Sequence, residues 1–266
     1  LLDEGDPFTK LNLDKSIAKL KARNIFRTVN SEVETGSNSG LKVINIDVEE
    51  KPTGEISAGA GVGTNGGSFA IAISENNWLG SGTIVDFEIE VDQETLIGTF
   101  NYTDPNYNFM GNSINYFLSS TSNDKPDQGF ENTVVSTGAK ISFEQYKNLF
   151  TSLGLAASYD DLRTVGTASN SLKKQAGEFS ELSANYGLKY DVRDRAFMPT
   201  RGGVFGFSQT IPLFADKSYI SNSINASKYK TITENIIGSS KLFISTINGL
   251  NDDDVRLSKR VNLSPK

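Results

Sequence analysis

From residue 55 onward the chain repeats with a period of two. Val85, Phe87, Ile89 and Val91 alternate with Asp86, Glu88, Glu90 and Asp92. Ile114, Tyr116 and Leu118 share one parity, as do Thr133, Val135, Ala139, Ile141 and Phe143. So do Leu149, Leu153, Leu155, Ala157 and Tyr159, and again Leu182, Ala184, Tyr186, Leu188 and Tyr190. Successive side chains of an extended strand point to opposite sides, so each segment has one apolar and one polar face. About eleven such segments can be marked off, most of them about 8–12 residues long, near the length a tilted strand needs to cross hydrocarbon.

The first fifty residues follow a different pattern. Leu13, Ile17 and Leu20, continuing to Phe26, form one apolar face at helical spacing, with Asp14 as the helix-start signal. Two strands are predicted next, one over 28–35 and one marked by Leu41, Val43, Ile46 and Val48. Gly36-Ser37-Asn38-Ser39-Gly40 turns between them, and Pro52-Thr53-Gly54 makes a hinge into the period-two region. The predicted division is therefore an α+β unit over 1–53 and a β region over 54–266.

Alternation alone fits either a soluble β-sandwich or a transmembrane β-barrel. The connections favour the barrel. Compact aromatic turns (Asn77-Trp78-Leu79-Gly80, Asp104-Pro105-Asn106-Tyr107, Tyr146-Lys147-Asn148, Phe197-Met198-Pro199) alternate with longer polar stretches over 119–131 and 160–177. Short turns on one rim, long loops on the other and an aromatic girdle are barrel features. The tight turn Asp92-Gln93-Glu94 breaks that sorting.

Composition narrows the chemistry. The chain of 266 residues has neither Cys nor His, which removes the usual zinc ligands, thiol nucleophiles and every imidazole-based triad. A net charge of −6 argues against a nucleic-acid partner. No apolar run is long enough for a membrane-spanning helix. The mean hydropathy of −0.33 does not oppose a barrel, whose strands average out. No catalytic residue, metal site or cofactor is expected. The Leu1-Leu2-Asp3-Glu4 start reads as an internal segment with its targeting signal upstream.

Several local features carry alternatives. Gly59, Gly61 and Gly63 lack the third glycine of a dinucleotide fingerprint, since residue 64 is Thr64, and a strand follows where a helix is required. Three glycines on one strand face reduce packing and pairing, or else allow close approach of a neighbour. The row Asp86, Glu88, Glu90 and Asp92 fits a water-filled lumen better than a cation site. Asp191, Arg193, Asp194 and Arg195, followed by Pro199, Arg201 and Gly202, read as an ion-pair network at a turn. Asp252-Asp253-Asp254 lacks the Gly and distal Glu of a calcium loop and reads as a solvated loop. The sequon Asn101-Tyr102-Thr103 lies within a predicted strand and carries no weight.

Taken in order, these features resemble the BamA family, the central subunit of the bacterial barrel assembly machinery. Glu4-Gly5-Asp6-Pro7-Phe8, the helix, and Val43 through Glu50-Lys51-Pro52-Thr53-Gly54 resemble part of its last POTRA module. Gly59-Ala60-Gly61-Val62-Gly63 resembles its first barrel strand, and Glu75-Asn76-Asn77-Trp78-Leu79-Gly80-Ser81-Gly82 the turn after the second. Tyr102-Thr103-Asp104-Pro105 and Asp191-Val192-Arg193-Asp194 with Phe197-Met198-Pro199-Thr200-Arg201-Gly202 complete the match. The Trp78 turn and the final motif are the most specific.

The resemblance implies a mainly β fold: an antiparallel transmembrane β-barrel, partial at about eleven strands, preceded by a partial α+β POTRA module. The family's Val-Arg-Gly-Phe loop motif is absent, and the partial strand set implies an open sheet. The implied location is the bacterial outer membrane, with the N-terminal segment in the periplasm. The implied activity is not enzymatic: it is folding and insertion of outer-membrane protein precursors through a seam at Gly59, Gly61 and Gly63. The resemblance makes Glu4 a docking position for an accessory lipoprotein, membrane lipid a further partner, and Trp78, Gly80, Asp191, Arg193, Asp194, Pro199 and Gly202 structural turn residues. A two-partner-secretion or autotransporter-assembly translocator has the same layout. A passive porin-like channel shares the alternation.

Overall fold

In a computed structural model of the protein, residues 2, 4–63, 66–108, 110–195, 198–234, 236–251 and 254–260 are described. Thr64, Phe197, Asp252 and Asp253, singled out above, lie outside them.

The N-terminal unit has helix α1 (Lys10–Ala22) followed by β1 (Phe26–Thr35) and β2 (Lys42–Glu50), which pair antiparallel. The helix starts one turn earlier than Asp14 implied. Thr9 is its N-cap, and its hydroxyl accepts a bond from the Asn12 N–H at 3.2 Å. Capping is decided by which side chain reaches the free N–H groups of the first turn, and Thr9 does so. Leu13 is buried along with Ile25 and Val29, so one end of α1 rests on β1.

The rest is one antiparallel sheet of eleven strands, each paired with its neighbour in sequence. In chain order they are β3 (Gly54–Gly63), β4 (Gly66–Trp78), β5 (Thr83–Val91), β6 (Thr95–Asp104), β7 (Ser113–Lys125) and β8 (Phe130–Tyr146). β9 (Leu149–Thr164), β10 (Gly177–Asp191), β11 (Gly202–Ala215), β12 (Tyr219–Thr233) and β13 (Ile236–Gly249) follow. A short helix, α2 (Asn170–Lys173), sits between β9 and β10. β3 and β13 do not pair, so the sheet is open with two edges.

The register carries the alternation across the sheet. Ile56, Ile73, Phe87, Phe100, Leu118, Thr137, Ala157, Leu182 and Phe214 form one continuous row, each paired with the next. Val85, Tyr102, Tyr116, Ala139, Leu155, Ala184 and Ile211 form a second row on the same face. A register shift between Leu182 and Ser183 changes the parity of β11, which is how both Ile211 and Phe214 reach that face.

Among the described residues nothing is stacked on this face. The buried apolar side chains among the described residues are Leu13, Ile25, Val29, Leu162, Ala168 and Tyr219, and none belongs to either row. Leu118 is 50% exposed and Leu155 is 54% exposed. A sandwich would bury these rows between two sheets. An apolar band this large, facing outward, requires an apolar surrounding.

Two expectations about loops fail. The stretch 119–131 is mostly strand, because β7 and β8 pair as far as Lys125 and Phe130 and leave only 126–129 as the turn. The stretch 160–177 shortens to 165–176 at its N-terminal side, because β9 runs to Thr164. The rims are therefore not sorted by loop length: 105–112 and 192–201 share a rim with the two-residue turn at 147–148, while 165–176 shares the other with 92–94. Polar residues extend a strand as readily as apolar ones where its polar face meets water, which is why the Ser- and Thr-rich run read as a loop.

Candidate functional site

The candidate seam is β3. It pairs with β4 on one side, and among the described residues no strand pairs with its other side. Its main-chain groups along that side form a free edge, the arrangement that accepts an added strand. Gly59 stands opposite Ala70, Gly61 opposite Ser68 and Gly63 opposite Gly66, all on the polar face. A side chain at Gly59 would meet nothing within 4 Å. Close packing against a neighbour therefore does not account for that glycine. The other parity of β3 carries Ile56, Ala58, Ala60 and Val62, and Val62 is 92% exposed. The edge strand thus has a bare polar side and an open apolar side.

The turn holding Trp78 and Gly80 joins the sheet to the N-terminal unit. Gly80 and Gly82 both take positive φ, and the Gly80 N–H donates to the Asn77 carbonyl at 3.0 Å. The Asn77 side-chain oxygen accepts the Gly82 N–H at 2.7 Å, and the Gly82 carbonyl accepts Arg23 Nη2 at 2.8 Å from the end of α1. Glu75 accepts bonds from the Asn77 N–H and the Thr53 hydroxyl, linking the turn to the connection before β3.

In the turn between β10 and β11 the charges divide: Asp191 is ion-paired, whereas Asp194 is held by a hydroxyl and backbone N–H groups. Arg193 grips Asp191 with Nε at 2.8 Å and Nη2 at 2.6 Å, the two-point geometry guanidinium favours. Asp194 accepts the Thr200 N–H at 3.0 Å, the Thr200 hydroxyl at 2.6 Å and the Arg201 N–H at 3.2 Å. The Thr200 hydroxyl bond, with the two backbone bonds, holds the Asp194 carboxyl down to about 2. Gly202 has φ +90°, and a Cβ there would overlap the Val192 carbonyl oxygen. Pro199 sits within this turn. Glu4 lies in an exposed turn before α1, apart from both of these turns.

Of the acidic row, Asp86, Glu88 and Glu90 are on the polar face of β5, but Asp92 is not part of it. Its Oδ1 accepts the Glu94 and Thr95 N–H groups at 2.8 and 2.7 Å and so closes the β5–β6 turn. Among the described residues no acidic or other cluster is arranged to hold a metal ion.

A second cluster was not legible in the sequence. Asp160 of β9 and Glu181 of β10 are 2% and 5% exposed on the polar face. Arg256, from the segment after β13, bridges them: Nη1 reaches Asp160 at 3.1 Å and Nη2 reaches Glu181 at 2.8 Å. Tyr219 of β12 donates its hydroxyl to Glu181 at 2.8 Å, and Ser258 donates to Asp160. Asp160 falls where a loop was expected, and Arg256 lies 96 positions away from it. No local pattern links residues so far apart.

An open antiparallel sheet with a continuous apolar outer face and a polar inner one defines the class: the wall of a membrane β-barrel. The Omp85 superfamily domain matches residues 77–264, and the chain belongs to the Omp85 superfamily. Its barrel relatives sit in the outer membrane, and members of the superfamily are transporters and assembly factors without enzymatic activity. The fold is similar to a crystal structure of BamA from Haemophilus ducreyi lacking POTRA domains 1–3. The TM-score is 0.78 at 19% identity, over 97% of this chain and 53% of that one. It is also similar to CdiB from Escherichia coli (TM-score 0.56, 14% identity, 95% and 50% covered). CdiB from Acinetobacter baumannii gives 0.53 at 11% identity, over 93% and 48%. The chain thus spans about half the length of these structures. No helix among the described residues is long and apolar enough to cross a membrane, which has no bearing on strands.

Proposed function

We propose that the intact protein folds and inserts outer-membrane protein precursors through a lateral seam at β3. The observation that supports this reading is the place of β3 as the first strand of the sheet, paired with β4 alone among the described residues, with Gly59, Gly61 and Gly63 along its polar side. Unpaired main-chain groups within lipid are costly, so the edge either closes on a final strand or captures an incoming one by β-augmentation. Glycine lowers the side-chain contribution to closure and keeps the competition even. In this reading residues 1–53 are the end of a POTRA module in the periplasm and residues 54–266 the first part of the barrel. The exposed Glu4 docks an accessory lipoprotein. The Trp78–Gly82 turn, bonded to Arg23, transmits the position of the periplasmic unit to β4 and β5.

The likeness to CdiB supports a second reading, passage of a secreted polypeptide through the barrel. One experiment separates the two. A cysteine replacing Val62 is joined by a disulfide to a cysteine facing it on the closing strand of the full-length protein. Client insertion should stop while the bond is intact and resume on reduction. Insertion at the normal rate with the seam locked overturns the seam. Normal insertion with loss of polypeptide export supports the translocator.

A further inference from the structure

Carboxylates on a water-facing wall keep their solvation at no cost, as Glu88 and Glu90 do, both exposed. Asp160 and Glu181 do not. They are almost fully covered, and so is the Arg256 side chain that joins them. Removing three charges from water is expensive, and their mutual attraction offsets that only with good geometry and further hydrogen bonds. The surroundings supply them to both carboxylates and to both Nη atoms of Arg256, while its buried Nε has no protein partner among the described residues. Lys259 Nζ lies 3.2 Å from Glu181 Oε2, so two carboxylates meet two cations. The Arg256 guanidinium lies 5.3 Å from the centre of the Phe179 ring, and Lys259 Nζ lies 5.6 Å from that of Tyr219. Asn132 of β8, in the amide orientation that satisfies its bonding, donates to Asp160 Oδ1 at 2.7 Å.

The cluster therefore gathers groups from β8, β9, β10, β12 and the segment beyond β13. Neighbouring strands are about 4.8 Å apart, so β9 and β13 are separated by about 19 Å along the sheet. A strand ladder ties each strand only to its neighbours. Arg256 ties the far end of the chain back across β11 and β12.

We infer that Arg256 is a brace on the polar face, fixing the spacing of β8 to β13 so that this half of the wall is static and any widening is left to the β3–β6 half. The brace rests on the sheet itself and holds whether the intact protein inserts clients or exports a polypeptide; neither activity is its readout.

The absence of cysteine from this chain makes paired spin labels practical. One pair is placed at Asp127 and Asn251, exposed turn residues flanking the braced half. The other is placed at Gln93 and Asp127, flanking β6 and β7. Distances are read by pulsed electron resonance in the intact protein in lipid. Arg256→Met should at least double the width of the first distribution and leave the second unchanged. The triple variant Asp160→Asn, Glu181→Gln, Arg256→Met removes the buried charges together and should restore the unfolding midpoint while keeping the first distribution wide. An unchanged first distribution in the triple variant overturns the brace, as does equal broadening of both pairs. If the single variant fails to fold, the triple variant decides the matter.

Discussion

Glu88 and Glu181 stand in one row of the sheet. The register runs Glu88, Thr99, Ser119, Ser136, Ser158, Glu181 without a break. Glu90 and Asp160 share the next row, which begins at Gly59. Same face, same rows, same chemistry: yet one pair of carboxylates is exposed near the free edge and the other is buried under Arg256. The strands differ in the same sense. β5 and β6 have 9 and 10 residues, whereas β8 and β9 have 17 and 16. The β3–β6 half has its ladders and the Arg23–Gly82 link to α1 at one rim, while the other half has long ladders plus a cross-link over the polar face. The difference teaches that one alternating pattern builds two mechanically unlike walls, and that what distinguishes them is what the chain lays on the polar face.

The largest expected effect tests that contrast directly. Arg256→Met leaves Asp160 without its cation and Glu181 with Lys259 alone and should cost about 3–5 kcal/mol of stability, while Glu88→Gln should change it by less than about 0.5 kcal/mol. Denaturant unfolding in detergent, followed by mobility on gels, measures both. Equal costs would erase the distinction between the halves. A smaller effect is expected at the edge. Gly59→Val fills open space on an extended strand and should stabilise the β3–β4 pairing by about 0.5–1 kcal/mol. Slower amide exchange in β3, with slower client insertion, is the outcome that sharpens the seam reading.

The smallest effect concerns the β10–β11 turn in the braced half. The folded carboxyl of Asp194 titrates at about 2, below its ordinary value. A depressed pKa stabilises the folded turn above the unfolded value of about 4, and that contribution is lost as pH falls through the folded value. Unfolding midpoints of wild type and Asp194→Asn should therefore differ above about pH 4 and converge near pH 2. Because Asp194 is exposed and the brace lies elsewhere, the spin-label widths should not change.

Much of this molecule was legible in its residues. Period-two runs such as Val85–Phe87–Ile89 and Leu182–Ala184–Tyr186 specify strands and their two faces, because a one-residue slip would put every apolar side chain on the wrong side. The charges at 191–202 specify their own turn, since Asp191, Arg193, Asp194 and Thr200 lie within reach of one another along the chain. Local spacing failed wherever pairing rather than pattern set the outcome. β7 and β8 continue through polar residues because each supplies the other's hydrogen bonds, and Thr9 displaces Asp14 because it meets the free N–H groups.

What the order of residues determined by itself, then, is the alternation and hence an apolar and a polar face. What only the tertiary structure decided is that nothing among the described residues covers the apolar face, and that Arg256 returns to cover Asp160 and Glu181. The physical reason is range. Strand periodicity is written into neighbours one and two positions apart, whereas burial of a carboxylate depends on a cation nearly a hundred positions away, which only the assembled sheet brings within 3.1 Å.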